Sequence, residues 1–329
     1  MADVFDDIRA ACALVADRAS FVRIDHERLA SYAEEIATDV LCVVESDPGR
    51  EHFDDLETTV SFVVSLDAVN FGSGYFPYLR KRPGMSGYHT IATSLREHVA
   101  DHGALDVDTL RAMTSARCAK LFGQVLGEGP ASELMSLFAT AFRDLGVAVA
   151  DRHDGSFTTL VMSCDHRGAA LVDELDRIPF FHDVSRYRGI DVPLYKRAQI
   201  TVNDLAHALG GRDHDDMAGF EDLARFDDID RLTMFPDNLV PHVLRIDGVL
   251  TFAPELLARI ERVDDITSGS EPEVEIRAVS LHAVELLSEA LRAVGTPAHA
   301  RDLDTFLWNR GAGSIYKAAP RHRTRCVYY

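Results

Sequence analysis

The sequence predicts a mainly α-helical fold with at most a small β element. Apolar residues recur at helical spacing in several long segments, whereas alternating, strand-like patterns are few. Some of these segments begin at a proline or end at a glycine, which are common helix boundaries. We therefore expect one compact domain over residues 1–329, in which residues 1–25 form an N-terminal helical extension.

The N-terminal segment carries acids ahead of its apolar run, which predicts an amphipathic helix and not a signal peptide. Leu134, Phe138 and Leu145 follow the helical repeat after Pro130. Further helices are predicted near residues 25–39, 88–101 and 106–122, over 193–209 and over 273–294. The best strand candidates are 61–72 and 156–164, and both also fit a buried helix.

Charge and cysteine usage restrict the possible partners. The net charge is −19, and affinity for nucleic acid depends on cationic side chains that displace counterions. A long polyanion is therefore disfavoured, and a small ligand is expected. The five cysteines are dispersed without a Cys-x-x-Cys pair, which argues against disulfides and structural zinc and favours the cytoplasm.

Common nucleotide and hydrolase motifs are absent. The sequence contains no P-loop, no dinucleotide fingerprint after a strand and no Gly-x-Ser-x-Gly elbow. His153, His166 and His214 lie in Gly/Asp-rich loops without metal-ligand spacing. We therefore expect neither a metal nor a cofactor. Hydrolysis by a positioned carboxylate stays open.

The segment TMFPDNLVP (233–241) places one carboxylate, Asp237, between two prolines and among apolar residues. Either turn chemistry after Pro236 or a rigidly held catalytic acid explains this pattern. Asp302 and Asp304 precede the only tryptophan and could cap a helix or belong to a site.

Three other segments carry charges that suggest a structural or functional role. Glu273 and Arg277 have the spacing of a surface ion pair. Lys196 and Arg197 open a predicted helix, where cations oppose the helix dipole, so together with free N–H groups they could hold a phosphate. The C-terminal RHRTRCVYY contains apolar residues that predict packing against the body.

Seven segments resemble, in order, those of the queuosine salvage protein family. They are LDAVNFG (66–72), SGYHT (86–90), YKRAQI (195–200), LTMFPDNLVPHVLR (232–245), EVEIRAVSLHAVELL (273–287), DLDTFLW (302–308) and RCVYY (325–329). The resemblance covers about residues 30–329. It implies a helical fold similar to helix-hairpin-helix DNA glycosylases and an enzyme, queuosine 5'-phosphate N-glycosylase/hydrolase, that releases queuine from the nucleotide.

The resemblance also implies roles for individual residues. Asp237 would stabilise an oxocarbenium-like sugar in a carboxylate-assisted reaction. The expected substrate-binding residues are His52, Asn70, Phe71, Lys196, Arg197, Phe235, Asp302 and Asp304. Of these, the phosphate grip of Lys196 and Arg197 rests on the helix argument above.

The expected partner is a nucleotide 5'-monophosphate, with no nucleic-acid polymer and no membrane, and the protein is expected to be a metal-independent monomer. Two alternatives remain: a non-catalytic queuine-binding carrier, and a metal-dependent nucleotide phosphohydrolase that uses the His/Asp loops. A nucleic-acid glycosylase is disfavoured by the charge.

Overall fold

A computed structural model describes residues 3–40, 53–210, 223 and 225–329 of the chain. Helices dominate it, which confirms the mainly α fold class. Within these ranges, no helix has the length and apolar character needed to cross a membrane.

The helices are numbered in chain order. They are α1 (Val4–Arg18), α2 (His26–Ile36), α3 (Leu56–Ala68), α4 (Gly87–His102), α5 (Val107–Arg111), α6 (Ser115–Leu121), α7 (Pro130–Arg152), α8 (Phe157–Met162), α9 (Gly168–Asp176), α10 (Lys196–Leu209), α11 (Val240–Ile246), α12 (Pro254–Glu261), α13 (Glu271–Ala293), α14 (Ala300–Arg310) and α15 (Ser314–Ala318).

Most predicted helices are confirmed, with small shifts at their ends. The predicted helix 106–122 is divided in two, because Asp106 caps α5 and Thr114 starts α6 by accepting a hydrogen bond from Arg117 N. The helix predicted from Pro193 begins only at Lys196, since Pro193 ends a strand. α7 and α13 match their predicted positions closely.

Both strand candidates are helices. Residues 61–72 lie largely in α3, whose residues from Thr59 to Ala68 are all buried. A helix that is buried on every side has no polar face, so its sequence lacks the helical repeat. Residues 156–164 contain α8, which Ser156 caps through Thr159 N.

The strands of the described residues are short and form two antiparallel pairs. β1 (Val22–Ile24) pairs with β4 (Leu250–Phe252), and β2 (Val184–Tyr187) with β3 (Ile190–Pro193). Arg188 and Gly189 join β2 to β3 with positive φ angles of 45° and 89°, as a two-residue hairpin turn requires.

Helix α13 is the centre of the packing. Nearly all of its residues from Glu273 to Leu287 are buried, and α1 packs along it with Phe5, Ile8 and Cys12 fully buried. Packing on all sides of one long helix brings residues far apart in sequence onto the same element.

The C-terminal segment packs against the body, as the sequence predicted. Thr324 and Tyr329 are buried, and the Tyr329 carbonyl accepts a hydrogen bond from Gly72 N at 2.9 Å. The Thr324 carbonyl lies so close to Gly74 that a Cβ atom there would clash with it. Glycine at position 74 therefore permits the close approach of the two backbones.

A buried histidine in α11 makes folding sensitive to acid. Nε2 of His242 lies 2.8 Å from the Tyr316 carbonyl, and Nδ1 lies 3.1 Å from an Arg245 guanidinium nitrogen. This arrangement requires a neutral ring that donates from Nε2 and accepts at Nδ1. Burial lowers the pKa of His242 to about 4 from its ordinary 6.5.

We expect the free energy of unfolding to fall as the pH decreases from 6.5 towards 4. Over this range the unfolded chain binds a proton at this position and the folded chain does not. The contribution of neutral His242 to the free energy of unfolding is therefore fully present above pH 6.5 and decreases as the pH falls. The loss attributable to His242 is of the order of 3 kcal/mol. Urea unfolding at a series of pH values measures it.

The control for this experiment is His242→Gln, which keeps one donor and one acceptor but does not titrate. Its unfolding free energy should depend less steeply on pH between 6.5 and 4. A slope identical to that of the unaltered protein would contradict the assignment to His242.

Candidate active site

A cavity of about 740 Å³ lies between several of the helices. Its walls come from five places: the segment after α3, the start of α4, one face of α10, the loop before α11, and α14 together with the C-terminal segment. This volume lies in the range of small-molecule sites.

The cavity brings together most of the predicted site residues. The predicted residues that line it are Asn70, Phe71, Lys196, Phe235, Asp237 and Asp304. Arg197 and Asp302 are not part of the lining. His52 lies outside the described residues.

The loop 233–239 is held in place by side chains from three helices. Gln199 of α10 accepts a hydrogen bond from Thr233 N at 2.9 Å. Asp304 of α14 accepts one from Phe235 N at 3.0 Å. Because these groups are buried, each bond satisfies a backbone atom that has no partner in regular secondary structure.

The third anchor is the Arg277 side chain of α13, which donates from Nε to the Pro236 carbonyl at 3.0 Å. That carbonyl belongs to the residue immediately before Asp237. The backbone around Asp237 is therefore held by Asp304 of α14, by Arg277 of α13 and by the turn that contains Asp237.

Asp237 itself is half-buried and has a local structural role. Its Oδ1 accepts hydrogen bonds from Leu239 N at 2.7 Å and Val240 N at 3.1 Å, which closes the turn that leads into α11. Oδ2 accepts no hydrogen bond from any residue that the structure describes. The turn interpretation is thus confirmed for one oxygen, and the other can face a ligand in the cavity.

The interpretation of Arg277 as part of a surface ion pair is wrong. Its side chain is fully buried, and its two terminal nitrogens bind both carboxylate oxygens of Asp183, at 2.9 and 2.6 Å. Glu273 is also buried and lies 3.9 Å away. The Tyr329 ring lies 4.9 Å from the guanidinium. Helix α13 is buried on all sides, so the i, i+4 spacing did not report an exposed face.

Charge pairing keeps this buried guanidinium protonated. Burial alone would lower the pKa of Arg277, but the adjacent Asp183 and Glu273 carboxylates raise it above its ordinary value. Burial raises the pKa of Glu273, and Arg277 opposes that rise. An ion pair compensates the cost of desolvation only when its geometry is this complete.

Lys196 lies at the inner end of the cavity. Its Nζ donates to the Asn70 carbonyl at 3.0 Å and lies 3.3 Å from Asn70 Oδ1. Burial lowers the pKa of Lys196, and the Asp237 carboxylate opposes this effect most strongly. Tyr195, with φ of 45°, turns the chain from β3 into α10 and so directs Lys196 inwards.

One of the backbone N–H groups that the predicted phosphate grip requires at the start of α10 is already used. Asp183 Oδ2 already accepts from Lys196 N at 3.1 Å. Arg197 is buried between the rings of Phe71 and Phe181, each 4.9 Å from its guanidinium, and donates to the Ala68 carbonyl. Lys196 reaches the cavity, whereas Arg197 supports the end of α3.

The two acids of DLDTFLW have different positions. Asp302 accepts from His299 N at 3.3 Å in a capping box at the start of α14. Asp304 is buried, lines the cavity and anchors Phe235. The sequence alone could not show which acid caps the helix and which lines the cavity, because either one could have occupied the cap.

An aromatic wall and one cation were missed by the sequence analysis. Tyr88, His89 and Trp308 line the cavity, with the His89 and Trp308 rings 5.9 Å apart. The motif SGYHT and the single tryptophan were the available signals. Arg321 also lines the cavity, and its pKa responds to Asp237. Nothing in RHRTRCVYY distinguishes Arg321 from the neighbouring arginines.

His153 and His166 have local partners away from this cavity. Nε2 of His153 lies 3.1 Å from Glu174, and Nδ1 of His166 lies 3.3 Å from the Arg225 carbonyl. Across the described ranges, no group of three His, Cys, Asp or Glu side chains is arranged to hold a metal ion. His214 lies outside those ranges.

Comparison with known proteins identifies the family. The sequence model described as queuosine salvage protein matches residues 51–329. The chain belongs to the queuosine salvage protein family. A relative from Sphaerobacter thermophilus named queuosine 5'-phosphate N-glycosylase/hydrolase is 35% identical over 320 residues, which cover 96% of this chain and 95% of the relative.

Two other members of the family carry the same name. The Dictyostelium discoideum protein is 33% identical over 83% of this chain and 79% of its own length. The Mus musculus protein is 30% identical over 56% of this chain and 55% of its own length. The cavity residues described above lie within the part of this queuosine salvage family member that the family model matches.

Replacing Asp183 with Asn should destabilise the protein by about 3–5 kcal/mol, because it removes the bidentate partner of the buried Arg277 guanidinium and leaves its charge to Glu273, 3.9 Å away. Denaturant unfolding measures this loss. The matched control is Asp191→Asn, which breaks an exposed pair with Arg186 and should cost less than about 1 kcal/mol. Equal, small losses in the two variants would contradict a special role for the Asp183–Arg277 pair.

Proposed function

We propose that this protein hydrolyses the N-glycosidic bond of queuosine 5'-phosphate and releases queuine and ribose 5-phosphate. The names of the relatives supply the reaction, and the cavity supplies a site for it. The observation that carries the proposal is the hydrogen bonding of Asp237. One carboxylate oxygen accepts from two backbone N–H groups, and the other accepts no hydrogen bond from the described residues.

Such a carboxylate suits the chemistry of glycoside cleavage. As the bond between C1' and the base nitrogen breaks, positive charge develops on the sugar. A carboxylate that is already positioned stabilises this charge without a reorganisation cost. Water then adds to C1', its proton is taken up by a base, and the departing nitrogen gains a proton. Asp237 can orient that water or accept its proton.

The rigidity of the loop supports this role. Catalytic groups contribute most when they are held close to their productive geometry. Here Gln199, Arg277 and Asp304 hold the backbone around Asp237 from three different helices. Two prolines restrict the same segment further.

The walls of the cavity suit a cationic purine-like base. Queuine is a 7-deazapurine with an aminomethyl substituent, so the ring nitrogen that purine glycosylases protonate is replaced by carbon. We assign stacking to Phe71 and Phe235, as the sequence suggested, and add Trp308 as a further aromatic face. Of the two acids in DLDTFLW, Asp304 is the one that lines the cavity, and we assign it to the amine.

The activity is tested by incubating the purified protein with queuosine 5'-phosphate in the presence of EDTA and detecting free queuine by mass spectrometry. We expect queuine to be released in the presence of the chelator, because the proposed reaction uses only side chains of this protein and no metal ion. Failure to release it with or without the chelator would contradict the hydrolase proposal. Release only without the chelator would contradict metal-independent chemistry.

The role of Asp237 is tested by Asp237→Asn. Asparagine retains Oδ1 and hence the hydrogen bonds from Leu239 N and Val240 N, but it removes the charge. We expect kcat to fall at least about 100-fold, which corresponds to about 2.7 kcal/mol of barrier, while calorimetry still detects binding of queuosine 5'-phosphate. Normal turnover by this variant would leave Asp237 as a turn residue only.

A second substitution separates the two functions of this side chain. Asp237→Ala removes the two backbone hydrogen bonds as well as the charge and should lose about 1 kcal/mol of stability relative to Asp237→Asn. Thermal unfolding of the two variants measures this difference. Equal unfolding temperatures would show that these hydrogen bonds do not contribute to stability.

A further inference from the structure

The charge of the cavity is opposite to that of the protein. The chain carries a net charge of −19, yet five cationic side chains line the cavity against three carboxylates. The cations are Lys81, Lys196, Lys317, Arg321 and Arg323. A locally positive cavity in an acidic protein indicates that part of the ligand is anionic.

Two of these cations already have partners. Lys196 Nζ donates to Asn70. Arg323 donates from Nε to Asp265 at 2.6 Å and from a terminal nitrogen to the Val263 carbonyl at 2.8 Å. Neither side chain can turn towards a ligand without losing these bonds.

Arg321 is different. Its side chain is half-buried, and it forms no hydrogen bond or ion pair with any residue in the described ranges. Arg321 and Asp237 line the same cavity, and the charge of Asp237 opposes the lowering of the Arg321 pKa by burial. A partly desolvated guanidinium with five unused donors is costly unless a ligand satisfies it.

Lys317 and Lys81 line the exposed part of the cavity, and neither side chain has a partner among the described residues. Lys317 stands on α15, four residues before Arg321 in the same C-terminal segment. Charges at an exposed mouth attract an anion without requiring its complete desolvation.

We infer that Arg321, assisted by Lys317, binds the 5'-phosphate of the substrate. The inference rests on the proposed function, since the phosphate is carried by the same ribose whose C1' faces Asp237. Guanidinium donors match a phosphate in a bidentate manner, and the ammonium of Lys317 adds a point charge. This subsite replaces the start of α10, where Asp183 occupies the backbone N–H of Lys196 and Arg197 does not line the cavity.

The test compares two substrates, queuosine 5'-phosphate and the nucleoside queuosine. Arg321→Gln should reduce the ratio of kcat/KM between nucleotide and nucleoside by about 10- to 100-fold, as expected for loss of a charge-assisted hydrogen bond. Lys317→Gln should reduce this ratio less, about 3-fold, because an exposed charge is screened by solvent. Lys317 is exposed, so its replacement leaves the packing unchanged.

Arg325→Gln is the matched control. It removes the same charge from the same segment, but Arg325 is exposed, binds Asp265 at 3.0 Å and does not line the cavity. Its substrate ratio should equal that of the unaltered protein. If this ratio fell as much in Arg325→Gln as in Arg321→Gln, the effect would come from net charge alone, and the subsite would be overturned.

The two proposals fail in distinguishable ways. If the unaltered protein cleaves the nucleotide, and neither Arg321→Gln nor Lys317→Gln changes the ratio, the subsite is wrong and the glycosylase proposal stands. If it cleaves neither substrate, the glycosylase proposal fails, and calorimetric titration with ribose 5-phosphate tests the subsite alone. Binding that is at least about 10-fold weaker in Arg321→Gln supports the subsite, and equal binding overturns it.

Discussion

The bidentate pair between Arg277 and Asp183 is the contact on which the rest of the site depends. It joins the central helix α13 to the turn that precedes β2 and, through the same carboxylate, to the first residue of α10. The third donor of Arg277 holds the Pro236 carbonyl. Replacing a buried ion pair with apolar residues need not reduce stability. The importance of this pair lies in the connection that it makes, because it links the start of α10, which carries Lys196, to the loop that carries Asp237.

The loop that carries Asp237 has little structure of its own. It lies between a short 3₁₀ turn and α11, and its backbone groups are satisfied by side chains at positions 199, 277 and 304. These positions are distant in sequence and lie on different helices. The geometry of the acid is therefore a property of the assembled fold, which explains how an irregular segment can still be rigid.

The sequence predicted what depends on local chemistry. Periodicity and boundary residues located α7 and α13, and the ordered motifs selected six residues that line one cavity. It failed where tertiary burial removes the local signal. α3 is buried on all sides and lacks a helical repeat, and Arg277 has surface-like spacing but is in the core. Asp304 acquires its role from Phe235, which is distant in sequence, and Arg321 from its position in the cavity lining, so no spacing rule distinguishes them from Asp302 and Arg325.

The contribution of α14 and the C-terminal segment to the cavity has a consequence during synthesis. Asp304, which anchors Phe235, and Arg321, which faces the cavity, leave the ribosome long after Asp237 does. A nascent chain that has folded as far as α13 holds its loop at 233–239 through Gln199 and Arg277 but still lacks the Asp304 anchor. Activity would then appear only when the last elements have docked, and a chain arrested before them would hold a folded core without a working site.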